Sequence, residues 1–226
     1  MTHPFWRKTV FDIVLWACGL FALLTVLAMF FYPGGTFSDP ATIGYSFFEN
    51  FFSDLGMTVS HAGQPNPIAN SLFTLALTLV GIGLMLFFAA FPQFFWRHAG
   101  AKKLSLIGSA IGIAAGVCFI GVAFTPHNLY LDAHTEFVMW AFRLFPLAVL
   151  CYTVAMRQVG TPRRHQMIFV VFFGLLVAYM LLLEFGPGVD TYSGMLIQAV
   201  GQKIIVYASI ASVMAQAFGA RNNKLN

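Results

Sequence analysis

The residues best suited to chemistry lie close together, between the third and fourth long apolar runs of the chain. His127, Asp132, His134 and Glu136 fall within ten residues, in the stretch TPHNLYLDAHTEF at 125–137. Imidazole and carboxylate groups can bind zinc or act as acid and base near neutral pH. The stretch has no HExxH, HxxxH or CxxC spacing, so the sequence assigns no metal ligand here, and whether a metal binds His127 and His134 stays open. Solubility of a surface loop is the competing interpretation.

Two cations stand inside apolar runs, where they need a partner. Inserting a charge such as Arg143 or Lys203 at the centre of a membrane helix costs about 2.5 to 3.5 kcal/mol. Glu184 and Gln202 stand in the same half of the predicted bundle. We predict that both cations point into one polar cavity with an acid within reach, and that this cavity favours an anionic ligand. A structural salt-bridge network, or snorkelling of both side chains, is the other interpretation.

The first long connection, residues 33–69, contains a third set of polar residues. Its stretch 43–56 reads IGYSFFENFFSDLG and predicts a helix lying flat on the membrane surface. One face would carry phenylalanines, and the other Glu49, Asn50, Ser53 and Asp54. A loop merely anchored by its aromatic residues remains open. In the following stretch we interpret His61 as a solvated loop histidine and Asn70 as a helix cap.

The elements that must position these residues are membrane-spanning helices. Of the 226 residues, 59% are hydrophobic and 9% are charged, against about a quarter charged in soluble domains. This composition excludes a soluble globular protein and a disordered chain. Crossing a bilayer takes about 20 apolar residues. The sequence therefore predicts a single all-α domain, 1–226, a polytopic membrane bundle of six transmembrane helices with spans near 10–32, 69–91, 104–124, 137–156, 167–185 and 196–218.

The distribution of Lys and Arg predicts the orientation of the chain. Ten of the 12 cations flank alternate ends of the spans, and short cationic loops stay in the cytoplasm. They are Arg7, Lys8, Arg97, Lys102, Lys103, Arg157, Arg163, Arg164, Arg221 and Lys224. Both termini are therefore expected in the cytoplasm, in an inner or plasma membrane. The net charge of +4 needs no nucleic-acid partner, because anionic lipid accounts for it.

Together these features predict a pocket that opens on the outer side and holds a lipid head group or small anion. As an enzyme, the protein would use Asp132 or His134 as general base, while Arg143 and Lys203 neutralise developing negative charge. A proton-coupled transporter and a non-catalytic membrane scaffold remain open, and no cofactor or oligomeric state is identified. The expected binding residues are Glu49, Asn50, Ser53, Asp54, His127, Glu136, Glu184 and Gln202.

The pattern of a first span, FFSDLG at 51–56 and NPIAN at 66–70 resembles a prokaryotic six-helix membrane family, domain of unknown function 998. More distantly, the chain is similar to the Frag/DRAM-type six-span proteins. The resemblance implies a fold and a location, but no activity. A weaker similarity links Ser53, Asp54, His127 and His134 to the zinc-site residue types of ceramidase and adiponectin-receptor hydrolases. Those proteins have seven spans and an HxxxH motif that is missing here.

Overall fold

A computed structural model describes residues 5–222 and residue 225, so Lys224 lies outside the described residues. Six helices are long and apolar enough to cross a membrane, which confirms the predicted fold class. The described residues form no strand, only two isolated bridges. The α-helices are α1 (Val10–Phe31), α2 (Pro67–Ala90), α3 (Ala99–Phe124), α4 (Leu131–Val159), α5 (Arg163–Phe185) and α6 (Tyr192–Arg221).

Proline, glycine and threonine mark several helix ends. Pro67 is the first residue of α2, a position where its missing N–H costs nothing. Gly160 ends α4 in the left-handed conformation at φ 71°. Thr191 caps α6 by accepting a hydrogen bond from the backbone N–H of Gly194 at 3.1 Å.

The six helices close into a ring, because each helix packs against the next one and α6 packs against α1. Small residues on α3 allow the closest approaches. A side chain at Gly112 would overlap the ring of Phe88 on α2, and one at Gly108 would crowd Tyr152 on α4. The glycine stripe of α3 is thus an internal packing face, as the spacing of small residues in membrane helices indicates.

The two ends of the ring differ in character. Connections 32–66, 125–130 and 186–191 lie at what we call the loop end, and the opposite end, with the described parts of both termini, is the terminal end. Aromatic side chains fill the terminal half of the core, where Phe91 contacts Tyr152 and Phe169. The hydroxyl of Tyr152 is 2.6 Å from that of Ser109. An apolar cavity lies on the other side of these rings, toward the loop end.

The structure corrects the starts of four predicted spans and one predicted element. α3 begins at Ala99 and α5 at Arg163, five and four residues before the predicted spans. α4 begins at Leu131 and α6 at Tyr192, several residues before the apolar runs, so His134 is a helix residue and not a loop residue. The predicted helix over 43–56 is wrong, because the segment forms turns and one 3-10 helix, Phe52–Gly56. A flat helix would place the polar face in water, but here Asn50 and Asp54 are buried and bond to other segments.

Candidate functional site

Asp54 is the centre of a buried polar cluster at the loop end. Its carboxylate is 1% exposed, and its oxygen Oδ2 accepts hydrogen bonds from the side chain of Asn50 and the backbone N–H of Phe51, both at 2.9 Å. The 3-10 helix creates this arrangement, because its tight turn places the side chain of Asp54 beside the backbone N–H of Phe51, three residues earlier. Asn50 is itself held by the carbonyl oxygen of Gly35 at 2.9 Å. One oxygen of Asp54 is therefore fixed, and the other is free to face other groups.

The second oxygen, Oδ1, faces two histidines. The Nε2 atom of His127 lies 3.2 Å from it and the Nε2 atom of His61 lies 3.4 Å from it. Burial raises the pKa of Asp54, but its polar neighbours His127, His61 and Asn50 outweigh burial and lower it to about 2. The carboxylate is therefore ionised at neutral pH.

His61 is not the solvated loop residue predicted from the sequence. Its Nε2 atom is buried and has no hydrogen bond of acceptable geometry among the described residues. Its backbone N–H lies 3.4 Å from the hydroxyl of Tyr32, and the next residue, Ala62, donates to the carbonyl oxygen of Gly34 at 3.2 Å. The beginning of the long connection, at Tyr32 and Gly34, thus packs against His61 and Ala62. This contact turns the side chain of His61 inward.

His127 comes to the cluster from the connection between α3 and α4. Its neighbour Asn128 accepts a hydrogen bond from the N–H of Thr58 at 3.0 Å and donates to the hydroxyl of the same residue at 2.8 Å. This pair joins the two connections and sets the register between them. Asp54, His61 and His127 place their ligand atoms within 4.8 Å of one another.

His134, in the first turn of α4, borders the same cluster. Its Nδ1 atom lies 2.7 Å from the carbonyl oxygen of Thr125, which can only accept, so Nδ1 carries the proton. Its Nε2 atom then has a lone pair in the neutral ring. The ring centres of His134 and His127 are 5.7 Å apart.

Two asparagines of the NPIAN stretch donate hydrogen bonds to the backbone at the end of the 3-10 helix. Asn66 donates to the carbonyl oxygens of Leu55 and Met57 at 3.3 and 2.9 Å, and Asn70 donates to that of Gly56 at 2.6 Å. Asn70 is therefore not the helix cap that the sequence predicted. The residue at the cap position is Asn66, and its side chain makes no cap hydrogen bond. Both side-chain amides therefore bind the backbone of the loop and not the free N–H groups at the start of α2.

Lys203 joins α6 to the loop that carries Asp54. The side chain is 2% exposed, and its ammonium group donates to the carbonyl oxygens of Asn50 and Ala199. The same nitrogen lies over the rings of Tyr45 and Phe47, 5.6 and 5.4 Å from their centres. Carbonyl dipoles and aromatic faces compensate the charge, so no carboxylate is needed in direct contact.

A cavity of about 90 Å³ lies beneath the cluster, between α1, α2, α3, α4, α6 and the 3-10 helix. Its wall is apolar apart from four polar side chains of described residues, Ser53, His134, Gln202 and Ser209. Ser209 bonds to the carbonyl oxygen of Ile205 in its own helix. The oxygen of Gln202 accepts from the N–H of Phe52 at 2.6 Å, which leaves the amide N–H groups of Gln202 available.

The cavity and the cluster meet at shared or adjacent residues. His134 lines the cavity and stands against His127, while Ser53 lines the cavity directly before Asp54 in the chain. The chamber is therefore apolar along its length and polar where it meets the loop end.

The other residues predicted for one shared pocket lie apart from this cluster. Arg143 pairs with Glu184 at 2.6 Å, with both side chains more than one third exposed, so this cation does have an acidic partner. Lys203 has different partners, and neither cation lines the cavity. The prediction of a shared cavity for Arg143 and Lys203 is therefore wrong. Glu49 also stands apart, since it accepts from the hydroxyl of Tyr192 at 2.8 Å.

Asp132 and Glu136 do not join the cluster either. Both are exposed on α4, and neither makes a hydrogen bond or ion pair within the described part of the chain. His134 lies between them in sequence but faces inward, because residues two apart on a helix point in different directions. The structure thus gives no support to Asp132 as the general base. The residue that sequence reasoning missed is His61, and its position seven residues after Asp54 in an overlong connection was the available signal.

Comparison of the chain with protein-family models, with curated proteins and with solved structures finds no match.

Proposed function

We propose that this integral membrane protein binds an amphipathic lipid, with an acyl chain in the cavity and the polar group at its loop end. The observation that supports this proposal is the contact between a long apolar chamber and the buried cluster around Asp54. The cavity is narrow and extended, because its lining residues on α6 run from Gln202 to Val213, a rise of about 16 Å along the helix. An apolar cavity with polar groups at one end is complementary to a molecule with an apolar chain and a polar head group.

The polar groups at that end favour a ligand that both donates and accepts hydrogen bonds. The Nε2 lone pair of His134 accepts, the amide of Gln202 donates, and the hydroxyl of Ser53 can do either. Carboxylic acid, hydroxyl and amide head groups have this combination. A long-chain fatty acid or a related single-chain lipid is the simplest member of the class.

This proposal differs from the expectation of a small anion held by two cations. The guanidinium of Arg143 is engaged by Glu184, and the ammonium of Lys203 is engaged by the carbonyl oxygen of Asn50. The ionised carboxylate of Asp54 disfavours a second negative charge beside it. A hydroxyl or amide head group, or a fatty acid bound with its carboxyl group protonated, meets no such penalty.

We also propose that the loop end faces the outside of an inner or plasma membrane, with both termini in the cytoplasm. The cations gather at the terminal end, as expected for loops retained in the cytoplasm. A lipid would then reach the cavity from the outer half of the bilayer. The resemblance to the six-helix family of unknown function stays a prediction and adds no activity.

A photoactivatable fatty acid tests the proposal directly. Purified protein in detergent is incubated with a long-chain fatty acid carrying a diazirine, irradiated, and analysed by mass spectrometry. Val206 lines the cavity on α6, so Val206→Trp fills the chamber. We expect this substitution to lower labelling by about tenfold or more.

The matched control is Ile204→Trp, two residues away on the same helix. Ile204 is 56% exposed and does not line the cavity, so the same bulk is added outside the chamber. Labelled peptides should map to the cavity wall in the parent protein and in the control. Equal labelling of both tryptophan variants, or labels only on exposed helix faces, would contradict the proposal.

A further inference from the structure

The three ligand atoms at the centre of the cluster come from separate parts of the chain. They are a carboxylate oxygen of Asp54 and the Nε2 atoms of His61 and His127, all within 4.8 Å of one another. We propose that Asp54, His61 and His127 form a binding site for a divalent transition-metal ion of the zinc type, with one coordination position left open. Two imidazoles and one carboxylate are a ligand set that suits zinc with an open position.

The spacing of these atoms favours a metal over simple hydrogen bonds. Hydrogen bonds between a charged nitrogen donor and a carboxylate are usually about 2.7 to 2.9 Å long. The separations here are 3.2 Å for His127 and 3.4 Å for His61. Ligand atoms at tetrahedral angles around zinc, each about 2.0 to 2.2 Å from the ion, lie about 3.3 to 3.5 Å apart. The Nε2 atoms of His61 and His127 lie within 4.8 Å of each other, so binding one ion requires the two imidazoles to turn toward a common point.

His61 supplies an independent observation. Its Nε2 atom is buried, points toward the cluster, and has no hydrogen-bond partner among the described residues. A buried polar atom without a partner is costly, and such atoms are rare in folded proteins. A metal ion between His61 and Asp54 would satisfy it.

The surroundings of the three ligands orient them as a metal site requires. Asn50 and the N–H of Phe51 occupy Oδ2 of Asp54, which leaves Oδ1 for the ion. The pairing of Asn128 with Thr58 and the packing of Gly35 on the backbone of His61 hold the two histidine segments together. Hydrogen bonds that fix a ligating carboxylate, as those to Oδ2 of Asp54 do, are a regular feature of metal sites.

An open coordination position would let the ion bind one further group. His134 stands against His127 and also lines the cavity, so an ion in the cluster would lie beside the polar end of the chamber. An ion with a free position there can bind water or the polar group of a ligand. The metal site itself does not depend on lipid in the cavity.

The test uses the full chain, purified in detergent and stripped with a chelator. Titration with Zn²⁺ against a fluorescent chelator measures affinity, and elemental analysis measures the ions retained per chain. Titration with Co²⁺ adds a spectrum, because tetrahedral nitrogen and oxygen coordination gives intense visible absorption. We expect one ion per chain and a tetrahedral Co²⁺ spectrum, and this part of the test requires no substitution.

Two ligand variants and two controls locate the ion. His61→Gln and His127→Gln should each weaken Zn²⁺ binding by about 100-fold or more, since each removes one of three protein ligands. His98→Gln, at the terminal end, and Asp132→Asn, an exposed acid near the cluster, should leave affinity unchanged. Each variant is accepted only if it elutes as a monodisperse peak.

Three outcomes would overturn the metal site. They are a parent protein that retains no ion at micromolar Zn²⁺, an octahedral Co²⁺ spectrum, and equal affinity of the ligand and control variants. His61 does not line the cavity, so fatty-acid labelling of His61→Gln should match that of the parent protein. Loss of metal with unchanged labelling therefore separates the metal site from lipid binding, and each proposal can fail alone.

Discussion

The ammonium group of Lys203 donates a hydrogen bond to the backbone carbonyl oxygen of Asn50, and this contact joins α6 to the loop that holds Asp54. Asn50 uses its side chain at the same time to bond to Asp54. A buried lysine that sequence reasoning assigned to ligand binding is therefore a structural support for the cluster. It acts through Asn50 and does not contact the carboxylate.

Replacing this lysine should loosen the loop. Lys203→Met keeps an unbranched side chain, one atom shorter, but leaves the carbonyl oxygen of Asn50 without its charged donor, at a cost of about 1.5 to 3 kcal/mol. We expect a lower thermal midpoint in detergent and faster protease cleavage within 45–51. Lys103→Met, an exposed lysine at the terminal end, is the control and should change stability by less than about 0.5 kcal/mol. Equal effects of both substitutions would show that Lys203 does not support the loop.

A second prediction concerns the close approach at Gly35. This residue has φ +82°, and a Cβ there would overlap the backbone of His61 and Ala62. Gly35→Ala should therefore displace His61 and destabilise the protein by about 3 kcal/mol or more. Gly44 has φ +66° with open space around it, so Gly44→Ala isolates the backbone strain, which costs about 1 to 2 kcal/mol. Chemical unfolding of the two variants measures the difference, and similar losses would mean that the backbones do not pack as described.

The ion pair between Arg143 and Glu184 gives a third prediction. It connects α4 to α5, and the guanidinium also lies 5.7 Å from the ring centre of Trp140. Both side chains are more than one third exposed, so Arg143→Ala or Glu184→Ala should each cost about 1 kcal/mol. The double replacement should cost less than the sum of the two, because no charge is left unpaired. Additive losses in thermal unfolding would show that the two residues do not interact.

The orientation in the membrane is a fourth prediction. Leu129 is 58% exposed at the loop end and Lys103 is exposed at the terminal end. A cysteine introduced at Leu129 should react with a membrane-impermeant maleimide in intact spheroplasts, whereas one at Lys103 should react only after permeabilisation. The parent protein, with its three free cysteines, sets the background. The opposite pattern of labelling would invert the orientation.

The sequence by itself determines the six helices. Hydropathy is a property of neighbouring residues, and each run of apolar side chains must satisfy its own backbone hydrogen bonds inside a bilayer. The spacing of Gly108, Gly112 and Gly116 likewise predicts a packing face, because helix geometry places them on one side. The polar residues around His127 and His134 also indicate which end of the bundle carries the buried polar cluster. Each of these inferences needs only local sequence.

Only the tertiary structure decided which polar residues meet. The helix predicted over 43–56 does not form, because Asn50, Asp54 and Lys203 exchange bonds with distant segments that a sequence pattern does not contain. His61 and His127 approach one oxygen of Asp54 from two different connections, and the separation of His61 from His127 along the chain gives no hint of this. Loop conformation depends on which distant donors and acceptors become buried together, since each of them must find a partner once water is excluded.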